Sequence, residues 1–286
     1  MTSMSGWLLA GLLASAAVQA SEPVRIEIDS FDRVDGAPIR QLAFWFKAPG
    51  AAPSAPAVLL LHGCGGPYGR SGQLSERMRD YAALLNAEGL HALVTDSFTP
   101  RGEREICTQK VGTRKVTQLN RRRDALGALA WLAVQPGVAP DRLGVMGWSN
   151  GGSNVLAATN LAHPEVRNAP VKASFAVAFY PGCEDEVRRG YKPVAPLLML
   201  LGGADDWTPP QPCEAMAQAS AAPRPEVVVY PGVYHGFDGT SRLNLLRDVP
   251  NGVNPGQGVH VGGDPAARAA SRERMLSFVR DAAALR

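Results

Sequence analysis

The sequence has almost no excess of charge of either sign. Its 286 residues include 29 lysines and arginines and 26 aspartates and glutamates, so the net charge is only +3. Proteins that bind nucleic acid electrostatically carry a clear basic surface. The one basic cluster, Arg121–Arg123, begins a helix-like segment and is interpreted as a solvated helix face. We therefore expect no nucleic-acid partner.

Apolar runs long enough to cross a membrane comfortably are also missing. The N-terminal run Gly6–Ala14 has the length of a signal-peptide core, and Val18-Gln19-Ala20 before Ser21 suits signal peptidase. No cysteine follows that site, so a lipoprotein anchor is not indicated, although residues 1–5 lack lysine and arginine. We predict a cleaved signal peptide at 1–20, export to the periplasm or medium, and no stable membrane anchor. The alternative is an apolar helix kept in the mature chain.

Cysteine is scarce, and its spacing excludes some chemistry. The four cysteines form no Cys-x-x-Cys pair, so neither a metal site nor thioredoxin-like chemistry is expected. An even number of cysteines fits two disulfides in an oxidising compartment. The spacing alone leaves all three pairings open.

A linker-like break and internal repeats are absent, whereas short apolar runs alternate with amphipathic segments along the whole chain. Apolar runs of this kind are typical of buried parallel strands. The runs that predict such strands are 57–61, 91–95, 142–146, 173–179, 196–201 and 226–230. We predict one α/β domain over 21–286, with a mainly parallel sheet of about eight strands and helices on both faces. The glycine- and proline-rich stretch 251–265 is predicted to be a long loop.

The segment Gly147-Trp148-Ser149-Asn150-Gly151-Gly152 joins an apolar run to a helix-like stretch. A strand, a sharp turn with serine at its apex, and a helix form the nucleophile elbow of α/β-hydrolases. The elbow strains the serine backbone and brings strand and helix so close that side chains at the flanking positions would collide. Ser149 is therefore the predicted nucleophile.

A serine nucleophile needs a base to take its proton and an acid to orient that base. In this fold they follow the serine in the order acid, then histidine. Asp205 comes after the run 196–201, and His235 comes after the run 226–230. Asp206 is the rival acid. His260 is a less favoured base because no predicted strand precedes it.

The remaining predicted site groups stabilise the oxyanion and contact the substrate. The backbone N–H groups of Asn150 and Cys64 are the predicted oxyanion-hole donors. Four aromatic residues near the catalytic residues in sequence are candidates for the wall of a substrate pocket, and each of them could equally be core packing. They are Trp148, Tyr180, Trp207 and Phe237.

Six segments of the chain together resemble the dienelactone hydrolase family, most closely its exported, cysteine-containing branch. They are Leu61–Gly66, Asp96–Gly102, Gly147–Gly152, Tyr180–Cys183, Gly203–Pro209 and Tyr234–Asp238. The resemblance implies an α/β-hydrolase domain that cleaves carboxylic esters or lactones without a cofactor. It also suggests the disulfides Cys64–Cys107 and Cys183–Cys213. The founding members use a cysteine nucleophile and a nearby glutamate, whereas this chain has Ser149 and no acidic residue within Leu61–Gly66.

The sequence thus predicts an exported serine hydrolase that acts on small carboxylic esters or lactones through an acyl-enzyme. A peptidase, thioesterase or acyltransferase could use the same triad, because only the pocket would differ. A binding protein that kept the fold and lost catalysis is the alternative from another class.

Overall fold

The structure, a computed structural model, describes residues 22–284, so the predicted signal peptide at 1–20 lies outside the described residues. The main sheet is built from strands β1 Val24–Val34, β2 Ala37–Phe46, β3 Ala55–Leu61, β4 His91–Thr95, β5 Val138–Trp148, β6 Phe175–Phe179, β7 Leu197–Gly202 and β8 Glu226–Tyr230. Their order is β1-β2-β4-β3-β5-β6-β7-β8. The pairs β1–β2 and β2–β4 are antiparallel and the other five are parallel. This mainly parallel sheet confirms the predicted fold class.

Seven α-helices connect or flank the strands within residues 22–284. They are α1 Glu76–Ala87, α2 Gln118–Ala133, α3 Asn150–Thr159, α4 Pro164–Arg167, α5 Glu184–Arg189, α6 Gln211–Ala219 and α7 Pro265–Ala282. None of these helices is long and apolar enough to cross a membrane.

The two faces of the sheet carry separate hydrophobic cores. Successive side chains of a strand point to opposite faces, and every residue of β3 is buried. Leu59 and Leu61 pack with α2 and α3, while Val58 and Leu60 pack with α1 and α7. Full burial of such a side chain stabilises the fold by roughly 1.5–3 kcal/mol. The continuous apolar run of β3 therefore reflects burial on both faces.

The prediction that 251–265 is one long loop is wrong in part. Val259–Val261 forms β10, which pairs antiparallel with β9, Asn244–Leu246. His260 therefore lies within a strand. The pairing joins two short segments that have no extended apolar pattern of their own, so the local composition does not reveal it.

The interpretation of Arg121–Arg123 as a solvated helix face is also wrong for two of the three residues. Arg121 and Arg122 are buried, and only Arg123 is partly exposed. Helix α2 packs against β1 on one side and α3 on another. A Cβ on Gly127 would lie only 2.6 Å from the carbonyl oxygen of Asp29, which shows how closely α2 approaches β1.

Both disulfides suggested by the family resemblance are confirmed. Cys64 is bonded to Cys107 and Cys183 to Cys213, with Cα–Cα distances of 4.9 and 5.1 Å. The first bond joins the loop after β3 to the segment before α2. The second joins the residue that precedes α5 to α6. Both bonds therefore restrain loops at the carboxyl ends of strands, where open α/β sheets bind their ligands.

Candidate active site

Ser149 lies between the end of β5 and the start of α3, with a backbone φ of 54° and ψ of −119°. This conformation is strained for a residue with a side chain, and such strain is concentrated at functional sites. Backbone contacts hold the turn, since the N–H of Ser149 donates to the carbonyl of Phe179 at 2.9 Å. A Cβ on Gly151 would lie 2.0 Å from the carbonyl oxygen of Leu61. Only glycine at 151 allows helix α3 to approach β3 this closely.

Asp205 and His235 form a buried pair at the ends of β7 and β8. The Nδ1 atom of His235 lies 2.7 Å from Oδ2 of Asp205, and both side chains are almost fully excluded from solvent. The other carboxylate oxygen, Oδ1, accepts the backbone N–H groups of Trp207 and Thr208 at 2.8 and 2.9 Å. An ionised Asp205 therefore keeps the proton of a neutral His235 on Nδ1 and leaves Nε2 as a proton acceptor.

Thr208 was missed by the sequence analysis, although its hydroxyl lies at the centre of this pair. Its Oγ1 is 3.1 Å from both Asp205 Oδ2 and His235 Nδ1, and 3.0 Å from the carbonyl oxygen of Tyr180. An aspartate followed three residues later by threonine is typical of a local side-chain-to-backbone turn. That spacing was the available signal, but it does not indicate contact with a histidine 27 residues away.

The ring of His235 is enclosed by Tyr180 and Trp207, whose ring centroids lie 4.5 and 4.8 Å away. The hydroxyl of Tyr180 donates to Oδ1 of the buried Asp238 at 2.5 Å, and Arg77 forms an ion pair with the same carboxylate at 3.1 Å. Burial raises the pKa of Tyr180 well above its usual value, so this hydroxyl remains a donor. The contacts fix the loop that carries His235.

The rival residues Asp206 and His260 form a second pair beside the first. The distance from Asp206 Oδ2 to His260 Nδ1 is again 2.7 Å, but the two side chains are 27% and 40% exposed. The backbone of Asp206 also accepts the N–H of Val253 at 2.9 Å. This second pair therefore fastens the segment 251–261 to the loop that carries Asp205.

The loop after β3 and the start of α3, which carry the backbone groups predicted for the oxyanion hole, both adjoin Ser149. A Cβ on Gly63 would lie 3.7 Å from Cβ of Ser149, so the loop after β3 passes directly beside the serine. Asn150 is the first residue of α3, and the first N–H groups of a helix have no intrahelical partner. Cys64, Ser149 and Asn150 line one open groove of about 1030 Å³.

Of the four aromatic residues proposed for the pocket, the structure places one in the groove, Trp207. Tyr180 is buried and contacts His235. Trp148 and Phe237 do not line the groove: both are core residues, which is the alternative that the sequence left open. Trp148 is the last residue of β5 and stacks on Phe179 at 5.6 Å, because its side chain points into the core beneath α1. Phe237 turns inward and packs on Tyr230.

Known proteins share the sequence features and the fold of this chain. The family model described as the dienelactone hydrolase family matches residues 43–283. The chain belongs to the dienelactone hydrolase family. A relative in the curated collections, an uncharacterised protein of Mycobacterium tuberculosis, is 27% identical over 255 residues, which cover 82% of this chain and 80% of the relative.

Two solved structures show the same fold at low sequence identity. A dienelactone hydrolase-like promiscuous phosphotriesterase from metagenomic libraries has a TM-score of 0.63 at 18% identity, and the match covers 91% of this chain and 99% of the other. An esterase of Thermogutta terrifontis with bound propionate has a TM-score of 0.59 at 19% identity, covering 89% and 93%. Family membership identifies the protein as a hydrolase.

The part of the chain that the structure describes contains no candidate metal site. Across residues 22–284 no three histidine, cysteine, aspartate or glutamate side chains are grouped so that they could hold a metal ion.

Proposed function

We propose that this protein is a serine hydrolase that cleaves small carboxylic esters or lactones through an acyl-enzyme intermediate. The observation that carries the proposal is the buried Asp205–His235 pair, which follows the strained Ser149 in the chain order of the α/β-hydrolases. A binding protein that had lost catalysis would have no need for a strained serine and a buried acid–histidine pair.

The proposed reaction begins when Ser149 Oγ attacks the carbonyl carbon of the ester and His235 Nε2 takes the hydroxyl proton. The oxyanion that forms accepts hydrogen bonds from the N–H groups of Asn150 and Cys64. Collapse of this intermediate breaks the bond to the alcohol oxygen, which receives the proton from His235 and leaves. Water then attacks the acyl carbon while His235 takes one of its protons. The bond between that carbon and Ser149 Oγ breaks, His235 returns the proton to Oγ, and the carboxylic acid leaves. Asp205 stabilises the charged imidazole in both steps.

The dimensions of the groove determine which substrates fit beside Ser149. Its volume of about 1030 Å³ and its open shape leave room for a bulky alcohol or lactone ring beside the acyl group. Trp207 and the exposed side chains of Val111, Leu119 and Val253 supply apolar contact around it. The esterase of Thermogutta terrifontis was solved with propionate and with butyrate. We infer that short acyl chains are accepted here as well.

Export forms part of the proposal because both pairs of cysteines are joined as disulfides. Such bonds form and persist in oxidising compartments such as the bacterial periplasm. Protein recovered from the periplasm should contain no titratable thiol before reduction and four afterwards. Four free thiols in that sample would contradict the export argument.

The test of function is hydrolysis of p-nitrophenyl acetate, propionate and butyrate by the wild type and by Ser149→Ala. We expect activity that decreases with acyl length and disappears in Ser149→Ala. Ser174→Ala is a matched control, because Ser174 bonds to the carbonyl of Leu143 away from the groove.

A fluorophosphonate probe should label the wild type and Ser174→Ala but not Ser149→Ala. Labelling without ester hydrolysis would indicate a serine hydrolase of narrow substrate range. The absence of both labelling and hydrolysis would contradict the proposal and favour the binding protein.

A further inference from the structure

Arg121 is the most deeply buried of the three arginines at the start of α2, with 1% of its surface exposed. Its neighbours have carboxylate partners: Arg122 and Arg123 bind Glu165, and Arg123 also binds Asp32. Arg121 differs, because across residues 22–284 no carboxylate oxygen lies within salt-bridge distance of its guanidinium. The charges of Asp124 and Asp96 act on Arg121 only from beyond that distance, and a buried charge without a direct ion-pair partner is costly to stability.

The guanidinium of Arg121 instead spans two backbone segments beside Ser149. Its Nη2 donates to the carbonyl oxygen of His62 at 2.7 Å, and its Nη1 donates to the side-chain oxygen Oδ1 of Asn150. The group also lies over the ring of Phe98, 5.1 Å from the centroid. Two separate chain segments are thus joined through one planar side chain.

These two segments are the ones that supply the proposed oxyanion-hole donors. His62 stands two residues before Cys64, whose N–H is one donor, and the N–H of Asn150 is the other. The geometry of the hole depends on the distance between the loop after β3 and the start of α3. A rigid, planar fork that donates to both sides fixes that distance better than two independent contacts would.

The electrostatic surroundings of Arg121 keep its guanidinium charged, so that it can donate hydrogen bonds to both segments. Burial lowers the pKa of Arg121 to about 9, which leaves the guanidinium charged at neutral pH. Burial and the positive charge of Arg121 together lower the pKa of His62 to about 3. The imidazole of His62 is therefore neutral under working conditions and adds no second positive charge beside the guanidinium.

We propose that Arg121 is a positioning residue that holds the two donors of the oxyanion hole at their working separation. It acts through the carbonyl of His62 and the side chain of Asn150, not by touching the substrate. This inference rests on the proposed function of the same site. It predicts an effect on turnover that is larger than any effect on substrate binding.

The experiment compares Arg121→Met, Arg121→Lys and the control Arg123→Met with p-nitrophenyl acetate as substrate. Arg121→Met should lower kcat by about 10²–10³-fold, as does the loss of one oxyanion donor, while KM changes by less than about threefold. The affinity for phenylboronic acid, which forms a tetrahedral adduct with the serine, should fall in parallel with kcat. Arg121→Lys keeps the charge but not the fork, and should recover part of the loss. Arg123→Met should retain wild-type turnover.

The outcomes separate this inference from the proposed function. Activity that survives in Ser149→Ala contradicts the proposed function itself. Activity that requires Ser149 but is unchanged in a folded Arg121→Met overturns only the positioning role, as does a rise in KM without a fall in kcat. If Arg121→Met does not fold, Asn150→Ala removes the acceptor and keeps the backbone N–H. Unchanged turnover and unchanged boronic-acid affinity in that variant would also overturn the inference.

Discussion

Replacing Asp205 by asparagine should hold His235 in the tautomer that cannot act as a base. The oxygen of the new amide must face the backbone N–H groups of Trp207 and Thr208, which approach Oδ1 at 2.8 and 2.9 Å in the wild type. Its NH₂ group then takes the place of Oδ2, 2.7 Å from Nδ1 of His235. Because the amide nitrogen donates, Nδ1 must accept and the ring proton moves to Nε2. That atom can no longer take the proton of Ser149.

The expected loss of kcat follows from this change of the His235 tautomer. The same substitution in a serine-protease triad lowers kcat by about 10⁴-fold, which corresponds to about 5.5 kcal/mol of activation free energy. We expect a loss of that order for Asp205→Asn with p-nitrophenyl acetate, measured as kcat at neutral pH. The reversed amide would place its NH₂ against two N–H donors, so rotation of the side chain offers no escape. Circular dichroism should show an intact fold.

The neighbouring Asp206→Asn is the matched control, since Asp206 makes an equally short contact with a different histidine. That pair is partly exposed, and exposed ion pairs contribute at most about 1 kcal/mol. We expect Asp206→Asn to lower kcat by no more than about fivefold. The reasoning would be refuted if Asp205→Asn kept a tenth of the wild-type kcat, or if Asp206→Asn lost as much as Asp205→Asn.

Two further changes test a close backbone contact and a buried carboxylate beside the groove. In Gly151→Ala the new Cβ would lie 2.0 Å from a backbone carbonyl oxygen. We expect thermal unfolding to show that the free energy of unfolding falls by about 1–3 kcal/mol. Gly65→Ala is the control, because its new Cβ would have no neighbouring atom within 4 Å. At Glu186, burial raises the pKa but hydrogen bonds from His163 and Asn160 outweigh it, so the pKa is lowered in the folded state. Its contribution to stability is present above the unfolded pKa and lost as the pH falls through the folded one. Glu186→Gln should therefore be less stable than wild type at pH 7, with a difference that shrinks below about pH 4. A difference that is independent of pH would contradict the role of this carboxylate.

The parallel strands were the part of the fold most open to prediction. The runs 91–95 and 226–230 have the bounds of β4 and β8, and 57–61 differs from β3 only in its first two residues. Strands buried on both faces read as continuous apolar runs, so one local pattern identifies them. The elbow at Ser149 was equally predictable, because its glycines, its strand and its helix all lie within a short segment.

Burial and side-chain direction were much less open to prediction, because they depend on segments distant in sequence. Arg121 is buried because its guanidinium lies between the loop after β3 and the start of α3, and a charged residue at the start of a helix gives no sign of such contacts. Trp148 belongs to the core because it occupies the same face of β5 as Met146. The partner that turns Val259–Val261 into a strand is 15 residues away, beyond a stretch with no regular pattern.

The strained backbone of this site is held in place by contacts from neighbouring elements. Ser149 and Tyr180 both have positive φ angles, 54° and 37°, and each such residue costs on the order of 1–3 kcal/mol. The elbow is held by glycine-to-backbone contact and by the fork of Arg121, whereas the Tyr180 turn is held by Asp238 and by the disulfide at Cys183. The two turns are also in contact, because the N–H of Ser149 donates to the carbonyl of Phe179, the residue before Tyr180. Weakening either support should therefore disturb the alignment of the nucleophile with the histidine without unfolding the sheet beneath both.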